Sequence, residues 1–304
     1  LASLASYPFL HRHVLTMKPL LLTLSVLLFA SCVAYDQDGY QERYVVSSYQ
    51  EAMKPFDEVT LTRTSPINVA YEFANVAISG ATVKVMELAA DGSVANIFDF
   101  PMVSPGIYRA SDAAALVRPL TRYRLEIDIP GHDQLITATT LVPDTFRVKA
   151  LNSQTLPYQG AEQFEANLTE SVYPGRQTYY VITTTALDTA QGMTPFYAEF
   201  NDEDRDVTTV SSGIINQLNY IALPDGSINL KYPWLAVAYF GPNRITFYAI
   251  DDNVYDFVRS ASVQLGGSTT SPGEIENVIS RIDGAIGVFG SMSSAETVIT
   301  VLAR

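Results

Sequence analysis

The chain has 304 residues, 47% of them hydrophobic, and a formal net charge of −13 at pH 7. An acidic balance of this size argues against nucleic acid as a partner, because that affinity rests on Lys and Arg neutralising phosphates. A single cysteine excludes an intrachain disulfide.

Residues 1–16, "LASLASYPFLHRHVLT", precede Met17, which fits an initiator, and read as upstream sequence outside the fold. Next comes one positive charge, Lys18, then an apolar run from Leu20 to Ser31, ending in the small residues Ala30 and Ser31 before Cys32. A membrane-spanning helix needs about 20 apolar residues, and this run is too short. Charged start, apolar middle and small-residue end are the order of a secretory signal peptide, here 17–31.

The segment "LLFASC" resembles the lipobox of bacterial lipoproteins, in which cleavage occurs before the cysteine and the thiol then carries a diacylglycerol. Phe29 stands where leucine is usual. The resemblance makes Cys32 the expected lipidation site and membrane attachment point; an ordinary signal peptide with an incidental cysteine is the alternative. Removing residues 1–31 from 304 leaves 273, and the loss of Arg12 and Lys18 moves the formal charge from −13 to −15. No basic patch would then grip lipid heads, so the anchor would be the lipid itself.

Residues 32–42 form a polar tether, whose Asp36 and Asp38 resemble a surface-export signal of such lipoproteins or serve as a solvated linker. Strand patterns begin at "RYVVSSY" (43–49) and continue through "VTLTRT" (59–64), "ATVKVMEL" (81–88), "GIYRA" (106–110) and "YRLEIDI" (123–129). In "YRLEIDI", Tyr123, Leu125, Ile127 and Ile129 share a face opposite Arg124, Glu126 and Asp128, as in a half-buried antiparallel strand. The turns "ADGS" (90–93), "SPG" (104–106) and "PGHD" (130–133) separate these runs. With "ITATTLVPD" (136–144) closing it, residues 43–144 predict a β-sandwich of immunoglobulin or transthyretin type.

Residues 145–304 predict a second β-rich domain with one or two helices. Its strand-like runs are "TYYVITTTAL" (178–187), "FYAEF" (196–200), "SINLKYPWLAVAYF" (227–240) and "RITFYAID" (244–251). A helix follows, with Asp251 or Asp252 as N-cap and Val254, Phe257, Val258 and Ala261 as its apolar stripe, ending at Gly266 and Gly267. The glycine-rich "IDGAIGVFGS" (282–291) then leads to a last strand, "TVITVLA".

The order of these pieces resembles a family of Bacteroidetes envelope lipoproteins called domain of unknown function 4249. The pieces are the lipobox, "YVVSSYQEAMKPFDEVTLTRTSPI", "VAISGATVKVME", "ITATTLVP", the "YDFVRS" helix and the closing "IDGAIGVFGS". Here Gly284 is followed by Ala285, where the family often has a glycine pair before G-x-F. The resemblance implies an outer-membrane location and an accessory role beside a TonB-dependent receptor. It supplies no catalytic residues.

The residues themselves offer little catalytic chemistry. A Ser/His/Asp set needs a histidine, and beyond residue 31 only His132 is present, in the "PGHD" turn. One histidine and a lipidated cysteine are too few for zinc. No phosphate-loop motif occurs, no cofactor is expected, and the chain reads as non-enzymatic.

In "NDEDRD" (201–206), Asp202, Asp204 and Asp206 have the spacing of the first ligands of a calcium loop. Val207 replaces the turn glycine and Gly213 the twelfth-position glutamate, which excludes an EF-hand. An irregular calcium site and a charged hairpin tip are both left open. "DTA" (188–190) matches a short O-glycosylation acceptor motif at Thr189. The role that the family resemblance implies is an accessory binding lipoprotein for uptake, with a structural or adhesive surface lipoprotein as the alternative.

Overall fold

The computed structural model describes residues 40–66, 68–200, 206–215, 220–264 and 278–303. The chain is mainly β and sandwich-like, as its alternation predicts. Its first strands are β1 (Tyr44–Glu51), β2 (Val59–Arg63), β3 (Thr82–Leu88), β4 (Val94–Phe100), β5 (Met102–Ser104), β6 (Ile107–Tyr108), β7 (Arg122–Asp128) and β8 (Ile136–Leu141). There follow β9 (Val148–Leu151), β10 (Thr155–Pro157), β11 (Glu165–Leu168), β12 (Tyr179–Ala186), β13 (Thr209–Ile214), β14 (Tyr220–Ala222), β15 (Ile228–Lys231) and β16 (Gly241–Ile250). The last two are β17 (Ile282–Asp283) and β18 (Ile286–Leu302), and the helices are α1 (Phe73–Val76), α2 (Pro195–Phe200) and α3 (Asp252–Gln264).

Among the described residues these strands make three sheets. The largest runs β13-β12-β16-β18-β1-β2-β6-β5, with β10 added to β18. A five-stranded sheet, β17-β8-β7-β3-β4, and a four-stranded sheet, β14-β15-β11-β9, cover the same face of it at two places. Between the large and five-stranded sheets lie Val46, Leu61, Val85, Leu125, Ile136 and Phe289, all fully buried. Between the large and four-stranded sheets lie Leu168, Ile182, Leu230, Phe247 and Val301. Apolar burial of this kind is the dominant favourable contribution to the fold.

One strand serves both cores. Phe289, near the start of β18, belongs to the first core and Ile299 and Val301, near its end, to the second. β18 lies parallel to β1 and antiparallel to β16, and Glu42–Arg304 forms one compact unit. Pro143 stands between Val142, in the first core, and Phe146, in the second.

Three expectations are corrected. "FYAEF" is the body of helix α2 rather than a strand: Pro195 opens it with φ already helical, and Ala198 N–H donates to Thr194 O at 2.9 Å. "SINLKYPWLAVAYF" is not one strand. β15 stops at Lys231, because Pro233 has no N–H for a ladder, and a 3-10 turn, Trp234–Ala236, follows.

The glycine-rich "IDGAIGVFGS" is not merely a lead-in, since β18 starts inside it at Ile286. Its glycines permit close approach. Gly287 has φ +111°, and a Cβ there would lie 2.1 Å from Val46 O on β1. A Cβ on Gly290 would lie 2.4 Å from Val254 Cγ2 on α3.

Candidate functional site

The outer face of the large sheet carries the site. Residues paired across strands share a face, and the register sets Val181 beside Tyr248 and Ser294, Ile250 beside Met292 and Glu51, and Tyr49 beside Gly290. This face is apolar at one end, where α3 packs on it. Val254 joins Val181, Ile250 and Val288 in a third apolar cluster, with Tyr49, Tyr179, Tyr248, Tyr255, Val258 and Met292 around it.

Several contacts hold α3 there. Asp251 is its N-cap, its Oδ1 accepting Val254 N–H at 2.8 Å. Asn253 Nδ2 donates to Thr139 O at 2.8 Å and Phe289 O at 2.7 Å, tying the helix to both β8 and β18. Thr140 Oγ1 donates to Asp251 Oδ2 at 2.5 Å and shares a 2.6 Å hydrogen bond with Ser291 Oγ. Burial pushes the Asp251 carboxyl up to about 6 against the pull of these donors.

On the same side, the Arg176 guanidinium sits between Tyr173 and Tyr179, 3.9 and 4.2 Å from their ring centroids. It donates to Asp252 Oδ1 at 2.5 Å and to Ile250 O at 3.0 Å. Tyr179 in turn stacks on Tyr255 at 4.0 Å. Burial, then the carboxylates of Asp251 and Asp252, push the Tyr173 phenol up to about 12.

Beside α3 a groove of about 650 Å³ remains open, a size ordinary for a small-molecule site. Its floor is Tyr49, Val181, Tyr248 and Met292, and one wall is Val254 and Val258. The other wall is the segment Lys54–Asp57, whose backbone is pinned: Ala52 N–H donates to Met292 O at 2.8 Å and Val117 N–H to Lys54 O at 2.9 Å. Lys54 pairs with Glu51 at 2.7 Å. Asp57 has no ion pair among the described residues.

Asp57 is exposed at the rim, yet partial burial of its carboxyl raises it above the ordinary carboxylate range. The amides of Glu58 and Tyr49 and the charge of Arg109 oppose that shift, and the Glu58 carboxylate adds to it. Burial also raises the phenol of Tyr49, so it stays a neutral hydroxyl.

A smaller cavity, about 300 Å³, lies on the opposite face of β12 between Glu170, Tyr180 and Tyr220. Tyr180 is pushed well up by burial, and the Glu170 carboxylate fills the space over Gly226.

The groove is lined by residues of the family segment 44–67 and of the helix stripe, Val254 and Val258, but not by the described candidate site residues Asp206, Thr189 and His132. Cys32, Asp202 and Asp204 lie outside the described residues. Asp206 is exposed, and its Oδ1 accepts Thr208 N–H at 2.8 Å, which lowers its carboxyl; it turns the chain. Among the described residues no group of three or more His, Cys, Asp or Glu gathers that could hold a metal ion. Thr189 is exposed, in the loop after β12, and its carbonyl accepts Gly192 N–H at 3.1 Å. His132 packs edge-on against Tyr44, 4.9 Å between centroids, and its Nε2 is buried without a hydrogen-bond partner among the described residues.

A signal for the groove was present in the sequence. "YYVI" (179–182) is apolar on both faces of β12, and such a run implies cover on both sides. Among the described residues, no helix is long and apolar enough to cross a membrane.

Fold and site together define a mainly-β sandwich protein whose largest sheet carries a helix-walled groove. The chain belongs to the family of domain of unknown function 4249, whose sequence profile matches residues 33–297. Among curated proteins nothing matches it.

Similar solved structures include a tetra-tandem repeat in the extending region of a large adhesion protein. It is 11% identical, over 85% of this chain and 49% of that one, with a TM-score of 0.22. Trypsin-activated alpha-2-macroglobulin from Escherichia coli is 12% identical over 70% and 14%, with a TM-score of 0.20. Salmonella alpha-2-macroglobulin reacted with methylamine is 11% identical over 86% and 15%, with a TM-score of 0.24. This chain thus spans about half or less of each of these three proteins, and likeness at such scores carries no argument about its activity.

Proposed function

We propose that this protein is a non-enzymatic lipoprotein of the Bacteroidetes cell envelope. It is held at the outer membrane through lipid on Cys32 and binds a ligand in the groove beside α3, as an accessory component of a TonB-dependent uptake system. The observation that carries the reading is the run Lys18–Cys32, whose charge, apolar length and small residues end at the one cysteine of the chain. Two acyl signals give stable anchoring where one is marginal.

Support for binding comes from the make-up of the groove: an apolar floor, two tyrosine rings, and the ionisable groups Glu51, Lys54 and Asp57 gathered along one wall. A clickable fatty acid fed to cells should label the wild-type chain and not Cys32→Ser; a Cys32→Ser chain that still labels overturns the anchor. The labelled protein should co-purify with a β-barrel receptor in mild detergent, and its recovery alone overturns the uptake role. A deletion strain with intact uptake and lost surface attachment would favour the adhesive alternative.

A further inference from the structure

We infer that the groove beside α3 takes an organic ammonium ion, a positively charged nitrogen carried on an apolar aliphatic or aromatic body. Its walls supply what such an ion needs, in the arrangement it needs. Val181, Val254, Val258 and Met292 offer apolar surface for the body. Tyr49 and Tyr248 offer aromatic rings, whose electron-rich faces attract cations.

The charge at the rim points the same way. Glu51 and Asp57 are acidic and Lys54 is basic, so the ionisable lining carries one net negative charge. Lys54 is spent on Glu51, and Ser294 Oγ also donates to that carboxylate. Arg109 lies nearby but is held at 2.9 Å by Glu58. Asp57 feels the charge of Arg109 but, among the described residues, is the lining carboxylate that makes no ion pair. A carboxylic acid ligand would meet this charge with its own sign, and a neutral ligand would leave it unpaired. An ammonium ion compensates it while its body fills the apolar trough.

This inference rests on the reading of the groove as the binding site. The test is calorimetric titration of the full chain with three probes of similar size: 2-phenylethylammonium, 2-phenylethanol and 3-phenylpropanoate. The ammonium should bind about tenfold tighter than the alcohol, as expected for a partly desolvated cation among aromatic rings, and the carboxylate should bind weakest. In Asp57→Asn the preference for the ammonium over the alcohol should disappear. In Val258→Trp, whose indole projects into the groove, binding of all three should be lost while the thermal midpoint holds.

If the alcohol or the carboxylate binds as tightly as the ammonium, the inference is overturned and the groove remains a binding site. If none of the three binds, both readings fall. Ammonium binding that survives Val258→Trp places the site elsewhere and overturns the inference as well. The comparison of probes on the unmodified chain decides the matter even if Asp57→Asn loosens the segment held by the Tyr49 amide.

Discussion

Val254 rests on Gly290 so closely that one methyl group on the glycine would lie 2.4 Å from Val254 Cγ2. The first turn of α3 is seated there, with Asp251 Oδ1 only 3.2 Å from the same point. Gly290→Ala should lift the helix and destabilise the protein by about 1–3 kcal/mol, as overpacking does. Gly287→Ala should cost more, about 3–5 kcal/mol, because its φ is +111° and the obstacle is backbone, Val46 O. Urea unfolding of the two variants beside wild type checks the ranking; equal losses would refute it.

Asp251 links stability to pH. Its folded carboxyl, pushed up to about 6, binds a proton more tightly than the ordinary 3.8 of the unfolded chain. Its contribution is therefore fully present below about pH 3.8 and is lost as pH rises through about 6. Asp251→Asn keeps an oxygen to cap Val254 and removes the titration. Relative to this variant, wild type should lose on the order of 3 kcal/mol between pH 4 and pH 7.5, measured as the difference of two unfolding series. A difference that stays constant with pH would show that Asp251 titrates normally.

Arg176 clamps the start of α3 to β12 through two rings and Asp252. Arg176→Ala should cost about 1–3 kcal/mol, the sum of a desolvated cation–π pair and a charge-assisted hydrogen bond. Arg176→Lys should recover little, since an ammonium cannot reproduce the planar stack and fork. Amide exchange in 252–260 should accelerate in both variants while β7 and β8 stay protected; unchanged exchange in α3 would reject the clamp.

Phe289 tests the sharing of β18. It is fully buried in the core built mainly from β1–β8. Phe289→Ala should destabilise by about 3–5 kcal/mol, and circular dichroism and tyrosine fluorescence should report one coincident transition. Two separated transitions would mean that the cores melt independently.

The alternation of "YRLEIDI" gave β7 correctly, since Tyr123, Leu125 and Ile127 are fully buried and the residues between them are not. The sequence offers Asp251 or Asp252 as the helix cap, and Asp251 makes the bond to Val254. Where local sequence and structure part, the causes are physical. β4 is an edge strand with Val94 and Ile97 exposed, so it shows no alternation to read. The aromatic residues of "FYAEF" favour strands locally, but Pro195 sets a helical start and Tyr197 Oη donates to Leu235 O at 2.9 Å. The groove is assembled from β1, β12, β16, β18 and α3, elements up to 243 residues apart (Tyr49 to Met292); the run "YYVI" reports that β12 is covered on both faces but not by which elements.

The parallel pairing of β1 with β18 also fixes an order of events. Val45 finds its partner in Ile286 and Val46 in Gly287, so the earliest strand waits for almost the latest. A ribosome that has delivered β1 to β8 has not yet delivered Phe289, and the first core stays open at that side. Pairings this remote in sequence close slowly. A nascent chain with so late a closing strand has no complete first core until nearly all of it has been made.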